Sequence, residues 1–111
     1  MKNTRSIKEN HVFRTLYARG KSAACRTMVL YARKHRDGAV NQLGITVSVK
    51  LGCAVVRNRC RRRLKEAFGT VEGNLRPGHC IVLVARSACL EADFKALCAE
   101  MEKAFTETGV L

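Results

Sequence analysis

Acidic side chains are scarce where this chain is most basic: the first 86 residues hold only Glu9, Asp37, Glu66 and Glu72. A protein nuclease would need paired carboxylates for a divalent metal, or a positioned acid and base. None of the four is placed for that. Glu9 suits a helix cap, Asp37 falls in turn-forming sequence, and Glu66 is one i+4 step from Arg62. No GxxxxGK loop cradles phosphates, and no Ser/His/Asp set can be read from the spacing, so no residue is assigned a catalytic role. The six cysteines, at 25, 53, 60, 80, 89 and 98, include no C-x-x-C, and His11, His35 and His79 form no close pair. No metal site is therefore expected, and the thiols are read as reduced small hydrophobes, with Cys60 and Cys98 on helical stripes and Cys80 opening a strand. No apolar run approaches the ~18 residues of a spanning helix. The opening MKNTRSIKENHVFRTLYARG has no apolar secretory core, so a cytoplasmic protein is expected.

Positive charge is abundant. The 111 residues carry 21 Lys and Arg against 9 Asp and Glu, a formal net of +12. Residues 1–86 hold 19 of the basic and 4 of the acidic groups, a net of +15, while residues 87–111 are net −3. The length suits one domain, 1–111, and the excess charge suits nucleic acid. The densest stretch is Lys50–Phe68, KLGCAVVRNRCRRRLKEAF. At ~3.6 residues per turn, Val56, Cys60, Leu64 and Ala67/Phe68 make an apolar stripe. Arg57, Arg61 and Lys65 stack on an adjacent face, and Arg59, Arg62 and Arg63 fill the remainder. Six cations in nine positions repel one another without a polyanion, and guanidinium forks match phosphate oxygens.

The remaining chain reads as α-β-β-β-α-β-α. Ser6 and Glu9 form a capping box for a first helix bearing Val12, Phe13, Leu16 and Tyr17, with Gly20 as its C′ residue. Arg26–His35 reads as a strand, and Arg36-Asp37-Gly38 as a turn. Gln42–Lys50 reads as a strand with Ile45, Val47 and Val49 inward and Thr46, Ser48 and Lys50 outward. The stretch from 26 to 50 holds two strands or three. After a loop with the only proline, Pro77, the apolar run Cys80–Ala85 suits a central strand covered on both faces. Ser87 is a candidate cap for a last helix with Leu90, Phe94, Leu97, Cys98, Met101 and Phe105 on its core stripe. Glu91, Asp93, Glu100 and Glu102 face outward from it, and it reads as scaffold. The strand-helix-strand unit around the basic helix implies a parallel pair within an α/β layered fold.

Phe13 and Tyr17 share a helix face, Tyr31 and Arg33 share a strand face, and Thr46, Ser48 and Lys50 share another. Brought together, they would line a groove for a single strand, where rings stack on unpaired bases. Two aromatics at i, i+4 also suit a core, and Tyr31 fits either role.

The ordered set Gly52-x-Ala54-Val55-x-Arg57-Asn58-Arg59, then Arg61-Arg62 and Lys65-Glu66, resembles the RNR signature of the bacterial ribonuclease P protein component. Phe13-x-x-x-Tyr17-x-x-Gly20, Val29-Leu30-Tyr31, Gly44-Ile45-x-Val47-Ser48 and Ile81-Val82-x-Val84-Ala85-Arg86 extend the likeness over nearly the whole chain. The resemblance implies an α+β sandwich of ribosomal-protein type, with a central mixed sheet and a left-handed β-α-β crossover. It implies a protein cofactor of a catalytic RNA, one copy per RNA. The holoenzyme is a metal-dependent endonuclease that removes the 5′ leader of precursor tRNA, with Mg2+ bound mainly through the RNA. Arg57, Asn58, Arg59, Arg61, Arg62 and Lys65 would contact the catalytic RNA. Phe13, Tyr17, Val29, Tyr31, Thr46 and Ser48, with Lys50, would line the leader cleft. Three positions depart from the family pattern: Val49 for a common lysine, Cys53 for a usual Asn, and Arg63, expected to face outward, for an apolar residue. Three other readings share parts of this logic: a ribosomal or assembly RNA-binding protein, a DNA-binding basic helix, and a self-sufficient nuclease relying on Glu66 or Asp37.

Overall fold

The computed structural model describes residues 4–7, 10–34 and 40–110. The order is β1 (Thr4–Ser6), α1 (Asn10–Arg19), β2 (Lys21–Ala24), β3 (Met28–Lys34), β4 (Asn41–Thr46), α2 (Ala54–Val71), β5 (His79–Ala85) and α3 (Phe94–Thr108). Short 3-10 turns cover Val49–Leu51, Glu72–Asn74 and Ser87–Leu90. The strands form one mixed sheet in the order β1-β4-β5-β3-β2. β4 is parallel to both β1 and β5, and β3 is antiparallel to β5 and β2. The third strand between α1 and α2 is thus β2, upstream of residue 26, and β1 is an additional edge.

α2 and α3 cover one face of the sheet. Met28, Leu30, Leu43, Ile81 and Leu83 meet Cys60, Leu64, Phe68, Leu97, Met101 and Phe105 there. The Phe68 and Phe105 rings pack edge to face at 6.0 Å, worth about 0.5–1.5 kcal/mol beyond their burial. Cys89 is fully buried in this core. Its burial, then the neighbouring Cys60 thiol, pushes its pKa from the ordinary 9.0 up to about 12, which keeps it protonated and inert. α1 lies on the opposite face, with Leu16 buried against Cys80 and Val82. The continuous apolar run of β5 therefore serves two cores.

The crossover from β4 through α2 to β5 is left-handed. Leu43 sends its side chain into the α2–α3 core, and its carbonyl accepts from the Ile7 amide beside β1 at 3.0 Å. Seen from its side-chain face with the chain running upward, an L-residue in a strand points its N–H and C=O to the right. β1 therefore lies to the right of β4 and β5 to its left, so the chain crosses in front and returns leftward, against the usual preference.

Several local expectations are corrected. Ser6 is not a helix cap: it pairs with Leu43 as the end of β1, and the helix begins at Asn10. Glu9, His35 and the 36–38 turn lie outside the described residues. β4 stops at Thr46, because its partner β5 ends just beyond Val84. The Ser48 hydroxyl then accepts from the Lys50 amide at 3.2 Å and turns the chain. Val49 is consequently 71% exposed. Ser87 starts a 3-10 turn, and Asp93 takes the N-cap position of α3. Phe94 is 39% exposed, in the first turn of α3. Gly20 follows α1 as expected, but for room: a Cβ there would lie 2.6 Å from the Leu16 carbonyl oxygen and 3.2 Å from that of Ala32. Gly109 supplies the left-handed end of α3, at φ 79°.

The ring edge of Phe13 meets Gly44 of β4, where a Cβ would come within 2.6 Å of the ring. Gly44→Ala is expected to cost about 1–3 kcal/mol in urea unfolding through overpacking. The cost should shrink in a Phe13→Leu background; an equal cost in both would show that the ring is not what excludes the methyl.

Candidate nucleic-acid interface

α2 is held by its apolar seam of Cys60, Leu64, Ala67, Phe68 and Val71, which leaves its cations on two flanks and an outer face. Asn58, Arg59, Arg62 and Lys65 are exposed, and Arg57, Arg61 and Arg63 are half-buried. On one flank, Arg61 and Lys65 border a groove with Phe13, Gly44 and Ser6 at the β1–β4 edge. Arg61 donates to Asn58 Oδ1 at 3.3 Å, which ties the asparagine into the array. Arg57 keeps its Nε buried without an acceptor. On the other flank, Arg59, Arg62 and Arg63 share a groove with Glu66, Glu91 and Asp93.

Arg63 does not face outward. Its guanidinium donates to the Leu90 carbonyl at 3.2 Å and to the Ala92 carbonyl. A half-buried cation is accepted here because it satisfies the turn that leads into α3. Cys53 occupies the N-cap of α2 but makes no side-chain cap bond, as expected of a thiol where Ser, Thr, Asp or Asn is preferred. The amides of Val56 and Val55 lower its thiol pKa below the ordinary value.

The second part of the site lies on the opposite face of the sheet. α1 runs across β4, β5 and β3, with Phe13 over Gly44, Leu16 against Val82 and its end at Ala32. A helix is about 10–12 Å wide, and a seven-residue strand is about 23 Å long, so α1 covers only half of that face. Beyond it the sheet stays open. Tyr17, 43% exposed, stands over this opening. Its ring meets Tyr31 edge to face at 5.0 Å, and its hydroxyl lies 3.3 Å from Thr46 Oγ1. Thr46 and Val29 are both in register with Val84. A half-buried row of Thr46, Val84 and Val29 thus forms the floor beside Tyr31.

The structure brings together Tyr17, Tyr31, Thr46 and Val29. It assigns Phe13 mainly to packing. Ser48 and Lys50 are exposed at the rim after β4, not on a strand face with Thr46. Val84 was missed, because its run reads as covered on both faces; the short α1 is the sign that one strand end stays open. Seven residues, 47–53, separate the cleft from the first turn of α2, so both surfaces meet at the carboxyl ends of β4 and β5. Among the described residues, no three His, Cys, Asp or Glu side chains form a group that could hold a metal ion, and no helix is long and apolar enough to cross a membrane.

A mixed sheet with a cationic crossover helix on one face and an aromatic cleft on the other defines an α+β protein of RNA-binding design. The family model for Ribonuclease P matches residues 1–109. The chain is 38% identical over 111 residues to the ribonuclease P protein component of Symbiobacterium thermophilum, covering 100% of this chain and 96% of the other. It is 40% identical over 102 residues to that of Caldanaerobacter subterraneus, covering 92% and 87%. Its fold matches the Staphylococcus aureus RNase P protein with a TM-score of 0.76 at 29% identity, over 95% of each chain. It matches the Thermotoga maritima protein at 0.77 and 27% identity, over 89% and 93%. The chain belongs to the ribonuclease P protein family.

Replacing Arg63 with Ala is expected to lower stability by about 1–3 kcal/mol, by leaving two turn carbonyls unpaired. Arg62→Ala, at an exposed position, should stay within about 0.5 kcal/mol. Equal urea midpoints for the two variants would contradict the anchoring role of Arg63.

Proposed function

We propose that the chain serves as the protein subunit of ribonuclease P through two surfaces: α2 for the catalytic RNA, and the cleft beside α1 for the 5′ leader of precursor tRNA. The RNA carries out the cleavage, and one protein binds one RNA. The observation that carries this reading is the cleft itself. Tyr17 and Tyr31 stand in contact over an open apolar floor, and that floor adjoins the start of the cationic helix. Rings beside a shallow floor suit unpaired bases, whereas a duplex would be met by its backbone. The Ser48 hydroxyl accepts from Lys50 and keeps its own proton to donate to a phosphate, and Lys50 adds a cation at the rim.

Arg57, Asn58, Arg59, Arg61, Arg62 and Lys65 are assigned to the catalytic RNA. The exposed forks of Arg59 and Arg62 supply donors that phosphate oxygens match. The protein's role is then electrostatic and positional. A catalytic RNA and its tRNA substrate repel each other, and a region of net +15 between them lowers the counterion concentration needed to bring them together. We assign Mg2+ to the RNA, where it supplies the chemistry of phosphodiester cleavage.

The decisive experiment is cleavage of a leader-bearing precursor tRNA by the cognate catalytic RNA at low magnesium, with and without the protein. Strong stimulation, with no cleavage by protein alone, is expected. No stimulation by folded protein, with the RNA active at high magnesium, would overturn the reading. Arg59→Ala should weaken assembly with the RNA by about 1.5–3 kcal/mol and raise the magnesium requirement. Tyr31→Ala should weaken leader-bearing substrates by about 1–3 kcal/mol and spare leaderless tRNA; equal losses for both would make Tyr31 structural.

A further inference from the structure

One aromatic ring has no place in either core. Of the four phenylalanines, Phe68 and Phe105 fill the core beneath α2 and α3, and Phe13 packs beside Leu16 and Val82. Phe94 belongs to neither cluster and is 39% exposed. A lone exposed ring needs no explanation by itself. This one borders the groove of about 570 Å3 between α2 and the start of α3, a volume within the about 300–1,000 Å3 of ligand sites.

The groove has two unlike walls. Arg59 and Arg62 of α2 form one, and Glu91 and Asp93 form the other, with Phe94 beside them. All five side chains are exposed, and Asp93 makes no cap bond with its carboxylate. Arg63 ties the walls together through the Leu90 and Ala92 carbonyls, so the groove is held open by the fold. Bare phosphate would satisfy the arginines and be repelled by the carboxylates. A purely apolar partner would leave both walls unpaired. A nucleotide answers all three features: its phosphates suit guanidinium forks, its base face stacks on a ring, and its base edge donates to a carboxylate.

The carboxylates also select the base. An ionised carboxylate only accepts. Guanine presents two adjacent donors, N1–H and N2–H2, which match its two oxygens. Adenine and cytosine present one amino group beside an acceptor nitrogen, and the N3–H of uracil is flanked by two carbonyls. The guanine must be unpaired, since pairing covers that edge and stacking in the duplex covers its face. The groove lies on the α2–α3 face of the sheet, across from the cleft beside α1, so the nucleotide belongs to the RNA assigned to α2.

We infer that this groove receives one unpaired guanosine of the catalytic RNA. Phe94 stacks on the base, a carboxylate of the Glu91–Asp93 pair accepts from N1–H and N2–H2, and Arg59 and Arg62 hold the flanking phosphates. The inference rests on α2 meeting that RNA, as argued above.

The test measures affinity of the full chain for the catalytic RNA against salt. Phe94→Ala should weaken binding about 5- to 150-fold, the worth of one base stacked on a ring, with the salt slope unchanged. Phe94→Tyr should restore it. Arg62→Ala should instead reduce the slope by about 1. Should Phe94→Ala lower the urea midpoint, Phe94→Leu replaces it, keeping apolar bulk without a flat ring. Glu91→Gln with Asp93→Asn separates the readings by sign. Removing two negative charges beside a polyanion tightens binding where the groove only faces solvent; loss of the guanine acceptors weakens it. A 1,2-dicarbonyl reagent, which condenses with N1 and N2 of unpaired guanine, identifies the nucleotide: wild-type protein should protect one guanine that Phe94→Ala leaves reactive. Tighter binding by the neutralised pair, or no guanine protected in this way, would overturn the inference alone. A wild-type chain without affinity for the RNA would overturn the proposed function as well.

Discussion

The structure depends on the apolar seam of α2. Five like-charged pairs sit three or four residues apart on this helix: Arg57/Arg61, Arg61/Lys65, Arg59/Arg62, Arg59/Arg63 and Arg62/Lys65. At about 0.2–0.5 kcal/mol each, they cost about 1–2.5 kcal/mol together. Full burial of Leu64 or Phe68 contributes about 1.5–3 kcal/mol each, so the seam outweighs the repulsion. Two details reduce that repulsion further. Arg63 is turned toward the Leu90 and Ala92 carbonyls, and Glu66 shares a groove with Arg62. A helix with such a seam can concentrate charge without losing its place in the fold.

The left-handed crossover has a direct consequence for the cleft. β3 and β4 are consecutive in the chain but not neighbours in the sheet; β5 lies between them. A right-handed return over the same face would place β5 where β1 now pairs with β4. The leftward return sets β5 in the centre, so that Val84 joins Thr46 of β4 to Val29 of β3. The cleft floor is therefore a product of topology. α1 then divides that face of the sheet into two chemically unlike flanks, one with Tyr17 and Tyr31, the other with Arg33 and Lys34.

Elements whose periodicity reports burial were legible in the sequence. The seam of α2, the central β5 and the buried Leu97, Met101 and Phe105 of α3 all appear where the apolar pattern places them. Elements set by partners were not. β1 is three residues long and exists because β4 offers it an edge, so Ser6 looked like a cap. The alternation through Val49 continued past the point where β5 ceases to pair, and only the sheet reveals that end. Within the site, Phe13 and Tyr17 share a helix face and cannot be told apart by spacing. What separates them is Gly44, which admits the Phe13 ring, and Thr46, which meets the Tyr17 hydroxyl. Arg63 likewise needed knowledge of the 90–92 turn, 27 residues or more away in sequence.

The two proposed surfaces would respond to solution conditions differently, and that difference would give the arrangement its use. In the proposed arrangement, contacts between α2 and phosphate would weaken steeply with salt, because binding releases counterions. Stacking and apolar contact in the cleft carry little of that dependence. A protein with cations alone would bind every RNA in proportion to its charge, and a protein with the cleft alone would hold any unpaired strand weakly. Joined at one end of a sheet, as proposed, the cationic helix would fix the protein on a large RNA while the cleft would favour a substrate with an unpaired extension. α3 contributes by contrast: Glu100 is committed to the Thr27 amide at 3.2 Å, and just before the helix Glu91 and Asp93 share the groove of Arg59, Arg62 and Arg63.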